Sequence, residues 1–431
     1  MDKILESIPG KFKWFDAVYV KGRSTPVSFR NNRFHSLSES ENSGFGVRIN
    51  RDSRTGFSYT NDSQRVEGAV QRAYSMAPYG DPENFTLPSD TQLKFEPYDP
   101  AIESFSVKDE IEAAEEFISS MQKEFPGISM DMGISASNGV MRLVNSEGVD
   151  LSYRDSYYSV SVSCVLVMDD GVRIDTWEGK SGLCPVDYSE FREKLSDKIR
   201  RAQIQEKIST GSYPVILPPQ AFGRLAGIIA SGLNGVSVWK GVSPFVGKTG
   251  EKLFSDSFTL ADDPLFEGSP YRIPFDAEGV NVSRKELVSK GVLRGVITDL
   301  KYAERLGTEP TGNASRGYSS LPSPSFTAVT VEPGNMSFKD MIAGVERGIV
   351  AEQFIGLGQS NTLTGDFSAN LDLAYLVENG EVKGRVKDCM MSGNIIDLLG
   401  GEVHFSSERE RKGSAVMPYA IFPAVSIIAM K

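Results

Sequence analysis

The sequence changes character at residues 213–219, which read Tyr-Pro-Val-Ile-Leu-Pro-Pro. An apolar run that ends at a proline pair predicts a buried strand followed by a turn. Before this stretch strand patterns alternate with amphipathic helices, whereas after it the chain is rich in glycine and β-branched residues. We therefore place a domain boundary near residue 210. The sequence predicts an α+β protein, with antiparallel strands and amphipathic helices in an N-terminal domain (1–210) and a β-rich C-terminal domain (211–431).

The N-terminal half carries clear strand and helix signals. Alternating apolar residues between turn residues predict antiparallel strands in the first 60 residues. A short helix is predicted over 66–76, and the proline-rich connector behind it should lack regular structure. The strongest helix pattern follows Ser106, a predicted N-cap, and ends at Pro126-Gly127. Four short strands are predicted between 129 and 168, and a second amphipathic helix over 191–202.

Three signals stand out in the C-terminal half. A helix is predicted over 338–348, and Glu378-Asn379-Gly380 between apolar runs predicts a type I′ hairpin turn. The apolar stretch 415–430 is shorter than the roughly 18 residues that a membrane-spanning helix needs. Prolines interrupt it and β-branched residues are frequent in it, so it predicts buried strands and no membrane insertion.

Charge and cysteine content narrow the classes of function. The formal net charge is −11, and the basic residues are scattered rather than clustered, which argues against direct binding of nucleic acid. The densest charged run, 408–412, alternates in sign and is predicted to be a solvated loop. Three cysteines without a CxxC pair favour a reducing compartment. Together with acids at the N-terminus, where a signal peptide would be basic and then apolar, this predicts a cytoplasmic protein.

Histidine is scarce, and this limits the metal sites that the chain can form. The only two, His35 and His404, are too far apart for a Cys/His zinc cluster at standard spacing. His35 is predicted to be a surface residue on an edge strand, and His404 a similar residue before a loop. The sequence has neither a GxxxxGK[ST] phosphate loop nor a GxSxG nucleophile elbow.

Five segments in the second half are dense in turn residues, and each can be explained as an ordinary turn. Taken together, in their order and spacing, they resemble the TldD/PmbA family, the so-called modulators of DNA gyrase. The resemblance extends from about Pro214 to Asp397. The segments are 275–280, 310–316, 364–368, 377–382 and 392–397.

The resemblance implies where a zinc site would lie. TldD-type members carry HExxxH on the helix after the strand that matches 213–217, and with a cysteine near the C-terminus the two histidines hold zinc. Alignment on Gly232-Leu233 places Ala226 and Ser231 at the two histidine positions and Gly227 at the glutamate position. Residues 405–407 also contain no cysteine. The chain therefore resembles the PmbA/TldE branch, and we expect no metal or other cofactor in it, with zinc only in a TldD-type partner.

This branch implies a function as well. We expect a non-metal subunit of a cytosolic TldD-type zinc peptidase that acts on unfolded or small peptides, in a dimer with a TldD-type paralogue or with itself. The C-terminal half would then supply the dimer surface and part of the cleft wall. Asn313, Arg316, Asp366 and Ser368 are the predicted peptide contacts, and each has an alternative role as a turn or cap residue. Two other functions stay open: an adaptor that acts on gyrase or another partner, and a metal-independent hydrolase.

Overall fold

The computed structural model describes residues 2–169, 171–357 and 362–430. Most of its regular structure is strand, and short helices cover the sheets. The α-helices are α1 Asp2–Ser7, α2 Val66–Met76, α3 Val107–Glu124, α4 Glu190–Gln203, α5 Pro219–Gly232, α6 Gly235–Trp239, α7 Leu300–Leu306, α8 Phe338–Ala343 and α9 Ile395–Gly400. Single 3₁₀ turns lie at Ser63–Arg65, Ala77–Tyr79, Pro100–Ser104 and Thr362–Thr364.

The strands fall into an N-terminal and a C-terminal group. The first group is β1 Trp14–Arg30, β2 Arg33–Leu37, β3 Ser40–Arg51, β4 Arg54–Thr60, β5 Ser129–Asn145, β6 Asp150–Val167 and β7 Arg173–Gly182. The second group is β8 Gln205–Glu206, β9 Gly211–Leu217, β10 Leu260–Asp262, β11 Lys285–Ser289, β12 Val292–Leu293, β13 Ala314–Ser315, β14 Ser323–Pro324, β15 Val329–Val331, β16 Arg347–Ile355, β17 Asp366–Glu378, β18 Glu381–Val386, β19 Cys389–Asn394, β20 His404–Lys412 and β21 Ala415–Ala429.

The N-terminal sheet has the strand order β4-β3-β1-β5-β6-β7, with β2 paired to β1, and all of these pairings are antiparallel. The four short strands predicted between 129 and 168 are wrong, because β5 and β6 form one long hairpin whose register is continuous from Ser129↔Val165 to Val144↔Asp150. The stretches 136–139 and 154–159, which lie between the predicted strands, belong to this ladder, where the backbone bonds do not depend on side-chain polarity.

Helices cover this sheet as the sequence predicts. Helix α2 spans the predicted 66–76, and α4 includes the predicted 191–202. Ser106 is the N-cap of α3, because its side chain accepts a hydrogen bond from the backbone N–H of Asp109. Apolar residues of α3 and α4 pack with those of β5 and β6 in one core, which holds the sheet in a fixed position beside the second half of the chain.

The C-terminal sheet closes on itself. Strands β9, β16, β17, β19 and β21 pair in a ring, since β21 contacts both β9 and β19 along its length. The predicted strand at 213–217 lies in β9, and the apolar stretch 415–430 forms β21, so both predictions are confirmed. Phe222, Leu225 and Ile229 of α5 are buried in the core of this unit.

Of three predictions about the C-terminal half, one is confirmed, one is confirmed for part of its length and one is wrong. The helix at 338–348 ends at Ala343, because the chain must extend into β16; a Cβ on Gly348 would lie 2.6 Å from the carbonyl oxygen of Pro214. The charged run 408–412 is no loop, since it completes β20 and pairs with β21. The hairpin turn is confirmed by positive φ values of 52° at Asn379 and 75° at Gly380.

The observed class is α+β, as predicted. The two large sheets contain strands from residues 14–182 and 205–429 respectively, and a domain boundary near 210 stays a prediction. Within the described ranges, the helices are too short or too polar to cross a membrane.

Candidate functional site

A cleft runs between the N-terminal sheet and the C-terminal unit. Strands β6 and β7 form one wall, and the first turns of α5 and the end of β20 form the other. It comprises four adjoining pockets, each named here after one of its lining residues. These are the Asn313 pocket of about 410 Å³, the Arg411 pocket of about 540 Å³, the Glu178 pocket of about 190 Å³ and the Gln353 pocket of about 560 Å³.

Shared lining residues show that the cleft is continuous. Tyr157 and Tyr271, whose hydroxyl oxygens are 3.1 Å apart, line both the Asn313 and the Arg411 pockets. Gln220, at the start of α5, lines the Arg411, Glu178 and Gln353 pockets. An extended ligand could therefore pass along β6 and β7 from the Asn313 pocket to the Gln353 pocket.

Arg411 and Arg224 define the charge of the Arg411 pocket. Arg411 donates to the hydroxyl oxygen of Ser181 at 2.8 Å and to the carbonyl oxygen of the same residue, which joins β20 to β7. Arg224 donates to the carbonyl oxygen of Phe354 at 2.9 Å and lies 5.4 Å from the centre of that ring. Neither arginine has a carboxylate within 4.0 Å in the part of the chain that the structure describes. Burial lowers the pKa of Arg411.

The Glu178 pocket has paired charges instead. Glu178 is buried between Lys198 and Lys412, each 2.8 Å away, and Lys198 also lies 3.2 Å from Glu352. Burial acts to raise the pKa of Glu178, but the two ammonium groups outweigh it and hold this pKa below its usual value. This part of the cleft is therefore a fixed, neutralised wall.

A second group of buried charges, the ion network, joins the two halves of the molecule beside the Asn313 pocket. Arg48 binds Asp16 in a fork at 3.0 and 2.5 Å and donates to Glu278 at 2.7 Å. Arg316 lies 3.0 Å from the same Asp16 and donates to the carbonyl oxygen of Ala277. The side chains of Asp16, Arg48, Glu278 and Arg316 are almost completely buried, and their charges sum to zero.

The turn at 275–280 holds the C-terminal side of this network. The Asp276 carboxylate accepts hydrogen bonds from the backbone N–H groups of Glu278, Val280 and Ala314. It thereby provides acceptors for backbone donors of this buried turn. Burial and the nearby Glu278 carboxylate raise the pKa of Asp276 to about 7. The same two causes raise the pKa of Asp299 to about 7.

Two of the four predicted peptide contacts lie together in the cleft. Asn313 and Arg316 both line the Asn313 pocket. Asn313 is buried and donates to Asp262 and to the carbonyl oxygen of Ser325, while its own oxygen accepts from Lys285 and Thr311. These bonds use both groups of the Asn313 side-chain amide. Arg316 donates two hydrogen bonds, and its Nη2 is buried without a hydrogen-bond partner in the described structure. Both side chains therefore shape the pocket wall. Their contact with a peptide stays a prediction.

Asp366 and Ser368 lie elsewhere. Both are on β17, and the described residues that line the four pockets do not include them. Asp366 is exposed, accepts from the hydroxyl of Thr364 at 2.6 Å and from the side-chain amide of Asn394 at 3.0 Å, and so fixes the entry to the strand. Their role as peptide contacts is also untested.

Helix α5 places the three residues of the aligned zinc motif in different environments. Ala226 is fully buried, whereas Gly227 and Ser231 are exposed on the face that begins at Gly223, a lining residue of the Arg411 pocket. The Ser231 hydroxyl donates to the helix through the carbonyl oxygens of Gly227 and Ile228, both at 3.0 Å. A methyl, a hydrogen and this hydroxyl do not fit a zinc ion, which needs imidazole, thiolate or carboxylate ligands.

Other possible ligands do not gather either. Within 2–169, 171–357 and 362–430, groups of three or more His, Cys, Asp or Glu side chains that could hold a metal ion do not occur. His35 lies on the exposed strand β2, as predicted. His404 is exposed at the start of β20, with its Nε2 3.0 Å from Glu402.

Sequence reasoning missed the cationic side of the cleft. Arg411 and Lys412 belong to the run 408–412, for which the sequence predicts a solvated loop, and Arg224 belongs to none of the motifs found in the sequence. One usable signal existed in the alternating charges of 408–412, because period-two alternation is also what a half-buried strand shows. Arg224 had no such signal.

Comparisons with known proteins agree along the chain. Three family domains match it: PmbA/TldA metallopeptidase domain 1 over residues 15–77, the central domain over 100–203 and the C-terminal domain over 210–429. An uncharacterized protein of Methanocaldococcus jannaschii is 27% identical over 94% of this chain and 94% of its own length. The metalloprotease PmbA of Escherichia coli O157:H7 is 24% identical over 98% of this chain and 94% of its own length.

A solved structure has the same fold. The crystal structure of TldE from Thermococcus kodakarensis superposes with a TM-score of 0.89 and covers 99% of this chain and 98% of that one, at 22% sequence identity.

Proposed function

The chain belongs to the PmbA/TldD metallopeptidase family, and we propose that it is the subunit without a zinc site in a cytosolic peptidase of this family. Zinc and the hydrolytic water would be supplied by a TldD-type partner that carries HExxxH. This chain would contribute its cleft, and peptides would be the substrate. A second copy of this chain is the alternative partner, and that assembly would bind peptides without cleaving them.

Helix α5 carries the proposal. It follows β9 at the place where the resemblance puts the zinc helix, and its first turns line the cleft. Yet it presents Ala226, Gly227 and Ser231 where ligands and a general base would be needed. The fold of a peptidase subunit is therefore retained around a helix whose side chains cannot activate water.

The cleft fits a peptide in shape. Strands β6 and β7 lie along it, and its pockets follow one another with shared residues at each junction. Thr176 Oγ1 and Gln353 Oε1 line the Gln353 pocket as buried atoms without a hydrogen-bond partner in the described structure. Buried polar atoms normally have partners, so these two could bond to an incoming backbone.

Co-expression with a family relative that carries HExxxH tests the proposal. We expect a stoichiometric complex by light scattering, and cleavage of unstructured peptides that a zinc chelator abolishes. The isolated chain should contain no zinc and should cleave nothing. Failure of the two proteins to associate or to change each other's activity would overturn the proposal, and so would chelator-resistant cleavage by the isolated chain.

A further inference from the structure

The Arg411 pocket is strongly cationic in a protein that is acidic overall. The formal net charge of the chain is −11, yet the residues that line this pocket include cations and no carboxylate. The cationic residues are Lys180, Arg224, Arg411 and Lys412. Lys180 lies 3.2 Å from Glu190, and Lys412 lies 2.8 Å from Glu178. Two lysines are thus neutralised from behind the pocket wall, and the charges of the two arginines remain.

Arg411 is held in place by neutral groups. Its partners are the two oxygens of Ser181 and the carbonyl oxygen of Gly413, so its position is fixed but its charge is not compensated. The half-buried guanidinium keeps its positive charge, because arginine stays protonated at any physiological pH. An anion that enters the pocket would supply the missing counter-charge.

Arg224, in the first turns of α5, lines the same pocket on the same wall as Arg411. A single hydrogen bond, to the carbonyl oxygen of Phe354, orients it along α5. Aromatic side chains also line this pocket, namely Tyr157, Tyr271 and Trp177, which is 40% exposed. Such surfaces suit the apolar neighbours of a charged residue in a peptide. The pocket volume of about 540 Å³ is within the range of specific binding sites.

We propose that the Arg411 pocket binds a carboxylate of the peptide ligand through Arg411 and Arg224, so that the cleft prefers acidic peptide segments to neutral ones. The inference rests on the proposed function only in taking the ligand to be a peptide. Guanidinium groups bind carboxylates by paired, charge-assisted hydrogen bonds, which gives both affinity and orientation. The carboxylate is either that of a Glu or Asp side chain or that of the peptide C-terminus.

Calorimetric titration of the isolated full chain distinguishes these two sources. The probes are four ten-residue peptides of Ala, Leu and Ser with either two Glu or two Gln residues at fixed positions, each with a free or an amidated C-terminus. We expect the peptide without any carboxylate to bind about tenfold more weakly than the best ligand. The intermediate peptides show which carboxylate is bound. Equal affinity for all four would overturn the inference.

Variants assign the preference to the pocket. Arg411→Gln and Arg224→Gln should each weaken binding of the acidic peptide about tenfold and leave the neutral peptide unaffected. Arg33→Gln, on the exposed strand β2, removes the same charge away from the cleft and should change neither affinity. Arg411 also joins β20 to β7, so the thermal midpoint of its variant is measured as well. If that variant unfolds, Arg224→Gln and the loss of wild-type affinity with rising salt decide the matter.

Failure of this inference is distinguishable from failure of the proposed function. The titration uses the isolated chain and needs no partner, whereas the proposed function is tested by association and cleavage. A chain that prefers acidic peptides but joins no relative keeps this inference and loses the other. In the opposite case the complex cleaves peptides, but the isolated chain and its two arginine variants bind acidic and neutral peptides alike. That result keeps the proposed function and overturns this inference.

Discussion

The ion network and the Arg411 pocket both place arginines between the two halves of the molecule, but they treat the charge differently. In the network, Arg48 and Arg316 lie against Asp16 and Glu278, so each buried guanidinium has a carboxylate. In the pocket, the hydrogen-bond partners of Arg411 among the described residues are neutral oxygens. A neutralised set of buried charges fixes the orientation of the two sheets, whereas an uncompensated charge at a cleft is available to a ligand.

The ion network and the Arg411 pocket are also formed by different parts of the sequence. Glu278 and Arg316 come from the segments 275–280 and 310–316, which carry the family resemblance. The structure uses these segments to build the junction between the halves. We infer that the resemblance reports mainly on architecture, while the ligand preference of the cleft depends on residues outside those segments, such as Arg411 and Arg224.

The largest predicted effect comes from breaking the network. Replacement of Arg48 by Met leaves Glu278 buried without its partner and removes the fork on Asp16. Loss of one member of a buried ion pair destabilises a protein by about 3–5 kcal/mol. Urea denaturation followed by near-ultraviolet circular dichroism should show a midpoint shifted strongly downward.

The matched control for this change is Arg33→Met. Arg33 lies on the exposed strand β2, and substitutions at such surface positions usually change stability by less than about 0.5 kcal/mol. Similar midpoints for Arg48→Met and Arg33→Met would show that the network does not hold the halves together.

A smaller, pH-dependent effect is predicted at the edge of the network. Asp299 caps α7 by accepting from the backbone N–H of Tyr302 at 2.7 Å, while its second oxygen is buried without a partner in the described structure. Its pKa is raised to about 7, so the folded state holds a proton that the unfolded state releases above about pH 4. The unfolded state therefore binds fewer protons, and this group makes the protein less stable as the pH rises from about 4 through 7.

Asp299→Asn removes this dependence, because Asn caps a helix as well as Asp does and carries no charge beside Glu278. Relative to the wild type, the variant should gain about 2–3 kcal/mol of stability between pH 5 and pH 8, because the wild type loses about 1.36 kcal/mol per pH unit up to the pKa of about 7. Parallel denaturation curves at the two pH values measure the change. A stability difference that is the same at both pH values would show that Asp299 is not held protonated.

Much of the fold could be predicted because its signals are local. The N-cap at Ser106, the apolar stripes of α2 and α4, and the Asn379-Gly380 turn depend on neighbours within a few residues. The errors occurred where pairing partners are distant. The helix predicted over 338–348 ends at Ala343 because the chain then enters β16, which pairs with β9 about 134 residues earlier, Ile349 lying opposite Val215.

The candidate site was less predictable for the same reason. Asn313 and Arg316 line a pocket of the cleft, but their side chains bind internal partners as distant as Asp16, and their contact with a peptide stays a prediction. Which charges find a counter-ion depends on contacts across the junction. Alternating charges in 408–412 could not show that Glu410 and Lys412 have ionic partners while Arg411 has none among the described residues.

The smallest predicted effect is at Arg272. It tests most directly whether arginines without a carboxylate partner contribute less to stability than paired ones. Arg272 lines the Asn313 pocket, its Nε is buried without a partner in the described structure, and its guanidinium lies 4.3 Å from the centre of the Phe95 ring. Replacement by Met loses a cation–π contact of about 0.5–1 kcal/mol and an unsatisfied donor, and the thioether can pack on the same ring. The two contributions nearly cancel, so the free energy of unfolding measured by urea denaturation should stay within about 0.5 kcal/mol of the wild type. Arg48→Met makes the same chemical change at an arginine whose charge is compensated by carboxylates. A similar loss of stability at both sites would mean that ion pairing does not distinguish structural arginines from arginines that are available to a ligand.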